Sequence, residues 1–172
     1  MQVINQIFRK YSPQNGQAPK NQFWQMVGEF YQARTGQIAD PNQIPQIIQK
    51  NGMEMPTQYT IMDFATYAIN FCMMMAYHSG KIDEYENLYA LLIYSGFDPQ
   101  GDGFVDSKYV VNQMISYYSQ MYPGINQQVV NQVLIQNGVQ PGAKINESKF
   151  IQIYRAVANM FKGQQPQPPK GQ

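Results

Sequence analysis

Apolar residues return along this chain at the three- and four-residue intervals of a helix that buries one face. Ile4, Ile7, Phe8 and Tyr11 make the first stripe, which stops at the turn-forming run Ser12-Pro13-Gln14-Asn15-Gly16. Phe23, Met26, Val27 and Phe30 make the second, Ile44, Ile47 and Ile48 the third, and Phe64, Tyr67, Ala68 and Phe71 the fourth. Further on come Ala90, Ile93, Tyr94 and Phe97, then Val110, Met114 and Tyr117, then Val130, Val133 and Leu134, and finally Phe150, Ile153, Tyr154 and Val157. The pattern predicts an all-α chain of four helix–loop–helix units.

The connecting segments repeat as well. Residues 52–63, 98–109 and 138–149 are twelve residues long, and 12–22 is eleven. Asn51-Gly52 and Asn137-Gly138 stand at the same offset in the second and fourth units, while Ser12-Pro13-Gln14 echoes Asp98-Pro99-Gln100. Odd units therefore resemble odd and even resemble even. One such unit cannot bury its own apolar face, so units are expected to pair, first with second and third with fourth. The expected division is a lobe over 1–77 (units 2–34 and 41–77), a linker over 78–84, and a second lobe over 85–162 (units 85–122 and 126–162). Residues 163–172 form a Pro/Gln-rich tail. The linker is placed where Tyr77-His78-Ser79-Gly80-Lys81 interrupts the apolar run Phe71-Cys72-Met73-Met74-Met75.

One segment carries metal chemistry. Residues 98–109 read Asp-Pro-Gln-Gly-Asp-Gly-Phe-Val-Asp-Ser-Lys-Tyr. A Ca²⁺-binding EF-hand loop offers oxygens from positions 1, 3, 5, 7 and 9, turns at a glycine in position 6, and closes with a bidentate Glu at position 12. Asp98, Gln100, Asp102, the Phe104 carbonyl and Asp106 occupy the ligand positions, and Gly103 the turn. Val105, at position 8, is the residue expected to pair two loops through a short β-bridge. Tyr109 stands at position 12, where a phenol cannot chelate with two oxygens.

With apolar stripes on both sides and three degenerate copies elsewhere, this segment resembles the EF-hand superfamily of calmodulin, centrin and troponin C, from about Val3 to Phe161. The resemblance implies an all-α fold of two lobes without catalytic machinery, Ca²⁺ as the cofactor, and a hydrophobic groove for a partner helix. The departures concern the metal. Residues 12–22 keep no carboxylate, 52–63 lack one at position 1, and 138–149 end in Lys149 where Glu belongs. At most one weak Ca²⁺ site is expected, at roughly 10⁻⁴ M or worse.

Composition narrows the functional classes. Charged residues are 13% of the 172 and the net charge is +1, against roughly 25% charged in ordinary domains. That balance argues against a nucleic-acid footprint or a polybasic membrane patch. Gln and Asn occupy surface places that Lys and Glu usually hold, and so little charge gives little protection against association. No apolar stretch approaches the roughly 20 residues of a membrane span. Cys72 is the one cysteine, so no intramolecular disulfide forms and a reducing, cytoplasmic compartment is the default. No Ser/His/Asp set, phosphate loop or dinucleotide fingerprint appears, so neither an enzyme nor a small-molecule substrate is expected.

Met73, Met74, Met75, Met114, Tyr118 and Met121 are the candidates for a plastic partner surface, since methionine adapts to varied contacts. The partner expected is an amphipathic helix or a cytoskeletal assembly. The likeness to centrin implies a cytoskeletal or axonemal setting. Two functions follow from the resemblance: an adaptor that binds its partner constitutively, or a calcium sensor that uncovers the Met/Tyr groove.

Overall fold

The computed structural model describes residues 1–12, 16–98, 101–119 and 124–161. Eight helices and one two-stranded sheet are found among them, and the chain divides into two compact units, Met1–Asp102 and Gly103–Gln172.

The first unit holds α1 (Gln2–Tyr11), α2 (Phe23–Thr35), α3 (Ile44–Lys50), α4 (Ile61–His78) and α5 (Ile82–Phe97). The stripes of α1, α2 and α4 turn inward: Ile4, Phe23, Met26, Phe64 and Phe71 are all but fully buried. Each such side chain contributes about 1.5–3 kcal/mol of transfer free energy. Phe23 is the hub of an aromatic cluster. Its ring meets Trp24 and Tyr59 edge-on at 5.1 Å each, and Tyr67 at 5.8 Å. Gln17 forms an antiparallel bridge with Thr60, and Ala18 N–H donates to the Tyr59 carbonyl at 2.7 Å, which joins the first connecting segment to the second.

Residues 78–84, expected as a linker between lobes, are the last residue of α4, a three-residue turn and the first turn of α5. Helix α5 packs along α4 and buries Leu88, Ala90, Leu91 and Tyr94. The physical reason is the second apolar edge of α5, Leu88 and Leu91, which a single stripe through Ala90, Ile93, Tyr94 and Phe97 leaves out. Helix α5 therefore belongs to the first unit, and the compact units meet at Asp102/Gly103 rather than at 78–84.

The second unit holds β1 (Val105–Asp106), α6 (Ser107–Tyr118), α7 (Gln127–Gln136), β2 (Lys144–Ile145) and α8 (Glu147–Phe161). Strands β1 and β2 pair antiparallel with Val105 opposite Ile145, both buried. These are the eighth residues of 98–109 and 138–149, so the bridge expected of Val105 forms. Helix α7 packs on α6 and α8, and Val130, Leu134, Phe150, Ile153 and Val157 fill the core between.

Candidate functional site

The segment 98–109 is the candidate metal loop, and its residues divide between the two units. In the first, Asp98 is the C-cap of α5 and only 3% exposed. Its Oδ1 accepts from the Asp102 N–H at 2.9 Å and its carbonyl from the Gly101 N–H at 3.0 Å. Gly101 also takes a contact from afar: its carbonyl accepts from the side-chain amide of Asn5 on α1. With φ at +67° and the Asn5 amide where a Cβ would project, only glycine fits there. In the second unit, Gly103 turns at φ +89° as position 6 requires. Asp106 is the N-cap of α6, its Oδ1 accepting from the Lys108 N–H at 2.8 Å. Tyr109, in the closing position, is 67% exposed. Gln100 lies outside the described residues.

The described part of the donor set is short of the roughly six to eight oxygens of a full Ca²⁺ shell. One oxygen each of Asp98 and Asp106 is engaged by backbone N–H, and no carboxylate stands at the closing position. Among the described residues, no three His, Cys, Asp or Glu side chains form a group able to hold a metal ion. The turn and the helix cap persist where the shell is incomplete.

The other segments are closed by the chain's own groups. The ninth residue caps the following helix in three of the four. Thr60 forms a reciprocal capping box with Asp63 on α4, Asp106 caps α6, and the Asn146 Oδ1 accepts from the Lys149 N–H at 3.0 Å at the start of α8. Across 52–63, the Tyr67 hydroxyl donates to the Glu54 carbonyl. Burial, with the charges of Asp63 and Glu54, pushes that phenol above its ordinary range. Across 138–149, the Lys149 Nζ donates to the Asn137 carbonyl at 3.0 Å, and the buried Ser107 Oγ accepts from the Gly142 N–H at 2.7 Å. Sequence reasoning missed Asn5, Tyr67 and Lys149 as loop-holding groups. Lys149 carried a signal, standing in the closing position itself, and Asn5 another, as an amide within an otherwise apolar stripe.

Of the candidate partner residues, Met73, Met114 and Tyr118 are buried and belong to the core in this conformation. Met74 and Met75 are half-buried on α4, and Met121 lies outside the described residues. Met75 borders a cavity of about 270 Å³ in the first unit with Tyr31, Arg34, Cys72 and Glu84. The Arg34 Nε and Glu84 Oε1 are 3.6 Å apart. Burial pushes the Cys72 thiol up to about 12, which leaves it protonated and unreactive near neutrality.

Among the described residues, no helix is long and apolar enough to cross a membrane. Compared with protein-family models, with curated proteins and with solved structures, the chain matches none of them.

Proposed function

We propose that this chain is a non-enzymatic, calmodulin-like protein, a degenerate four-unit relative of the EF-hand superfamily that acts as a structural or adaptor subunit. It binds an amphipathic helix or a cytoskeletal assembly constitutively, in a cytoplasmic, cytoskeletal or axonemal setting. The observation that carries this reading is the closure of 52–63 and 138–149 by Tyr67 and Lys149, contacts that hold the loops with no ion. The capped helix starts and the Val105–Ile145 pairing support the superfamily reading. Low charge and abundant uncharged amides support life in an assembly.

A second reading is a calcium sensor working through Asp98, Gln100, Asp102, Phe104 and Asp106. It is favoured by the burial of Met114 and Tyr118, residues that an opening of the helix pair would uncover. One titration separates the two. The backbone N–H of Gly103 is followed by NMR as Ca²⁺ is added to the full chain, beside an Asp102→Ala control. The adaptor reading expects no saturable shift at micromolar Ca²⁺, and co-purifying partners retained in chelator. A micromolar shift abolished by Asp102→Ala, with partners lost in chelator, replaces it with the sensor.

A further inference from the structure

Lys149 does more than stand where a carboxylate is missing. Its ammonium reaches back from the first turn of α8 to the carbonyl of Asn137, the C-cap of α7, at 3.0 Å, and donates to the Gln152 Oε1 at 2.9 Å. The origin of the side chain is pinned, because the Lys149 N–H is held by Asn146 at 3.0 Å. The end of α7 lacks what a helix C-terminus prefers, as no basic residue lies in its last turn. The carbonyl end of a helix carries about half a negative charge, which a nearby cation stabilises. Both acceptors of the ammonium are neutral, so its charge stays directed at that helix end. The rest of 138–149 suits an internal cation better than a metal. Gly138, Gln140, Gly142 and Asn146 stand at positions 1, 3, 5 and 9 and bring no carboxylate.

We infer that the Lys149 ammonium is a resident cation of the fourth unit. It does from within the chain what a bound ion does in a loaded loop, tying the helix that enters the segment to the helix that leaves it. The angle between α7 and α8 is then held by a cation that the chain itself carries, through hydrogen bonds rather than a bound ion. Of the three N–H donors of the ammonium, one is taken by the C-cap carbonyl and one by the Gln152 amide oxygen. A half-buried ammonium on a pinned stem also loses less to water than an exposed pair. The inference stands on the α7–α8 contact alone, whether or not 98–109 takes an ion or a partner is bound.

The test is amide hydrogen exchange on the full chain, comparing Lys149→Met and Lys149→Arg with the unmodified protein. Asn137, Gly138 and Val139, whose N–H groups close the end of α7, are the reporters. Ala18 and Phe64 in the first unit are the controls. Lys149→Met, which keeps the stem and removes the charge, should speed exchange at the reporters about tenfold and leave the controls unchanged. Lys149→Arg, which keeps the charge, should restore most of the protection. Unchanged reporter exchange in Lys149→Met overturns the inference. So does equal loss in both variants, since packing of the stem rather than charge would then be what matters. The inference rests on the same closure of 138–149 that supports the adaptor reading, while the calcium titration at Gly103 tests that function by a different readout, so the two failures are distinguishable.

Discussion

Residues 52–63 and 138–149 are the same length, begin at the glycine of an Asn-Gly and launch their helices from capping residues at the same offset, yet they are closed by different groups. In the first unit the tie is a phenol. The Tyr67 hydroxyl reaches the Glu54 carbonyl from beneath an aromatic cluster in which Phe23 touches Tyr59 and Tyr67. In the second unit the tie is an ammonium on the end of α7, beside a mainly aliphatic core. The difference teaches that the shape of the segment does not depend on one chemistry. A hydrogen-bond donor reaching back from the next helix suffices, and its surroundings decide what conditions undo it. The aromatic tie should be insensitive to salt and fail in alkali. The cationic tie interacts with a helix end, a contact that salt weakens.

The strongest way to break the comparison is to remove the hub on one side only. Phe23→Ala should destabilise the first unit by about 3–5 kcal/mol, because transfer energy is lost and a cavity is left behind. Ile145→Ala, on the strand of the second, should cost about 2–4 kcal/mol. Urea unfolding followed by Trp24 fluorescence and by NMR reads the two separately. Equal loss in both units from either variant would mean that the two units unfold in one cooperative transition, which would end the comparison.

Caps come next in size. Thr60→Ala and Asn146→Ala should each cost about 1 kcal/mol. Only Asn146→Ala should also hasten exchange at Asn137, since Asn146 pins the residue that reaches it.

The smallest neutral-pH effect is that of Tyr67→Phe, about 0.5–1 kcal/mol, because the exposed Glu54 backbone regains water. Its larger signature is in alkali. The Cys72 thiol ionises near 9 in the unfolded chain but at about 12 when buried, and the Tyr67 phenol is raised above its ordinary 10. Above those ordinary values the unfolded chain gives up protons that the folded chain retains, so stability falls as pH rises. Urea midpoints at pH 7.5, 9 and 10.5 should decline for the unmodified chain, from 9 upward for Cys72 and from 10 for Tyr67. Cys72→Ala should flatten the first part of the decline and Tyr67→Phe the second. A flat profile in the unmodified chain would mean that neither group is as enclosed as its packing indicates.

Much of the architecture was legible because it depends on local spacing. Every expected stripe falls on a helix, and most of the described residues in the stripes taken together are buried. Tyr11, Ile47, Ile93 and Phe97 are only half-buried, at edges that periodicity does not distinguish from faces. Val105 could be matched to a bridge because its offset from Gly103 is set by the turn. The boundary between units was not legible. A glycine with polar neighbours reads equally as a linker or as a tight hairpin, and the choice was made by Leu88 and Leu91 against α4. Nor could the metal loop be followed as one site, since chain order says nothing of which carboxylate oxygens backbone N–H groups already hold.

By itself, the order of residues determined the helical class and where the helices fall, because each follows from the spacing of neighbours within a turn or two. Only the tertiary structure decided which groups hold the connecting segments. Asn5 reaches Gly101 across 96 positions and Lys149 reaches Asn137 across 12, and such contacts exist only once packing has brought distant helices to a fixed separation. That is the step at which a lysine first read as a missing glutamate becomes a group with work of its own.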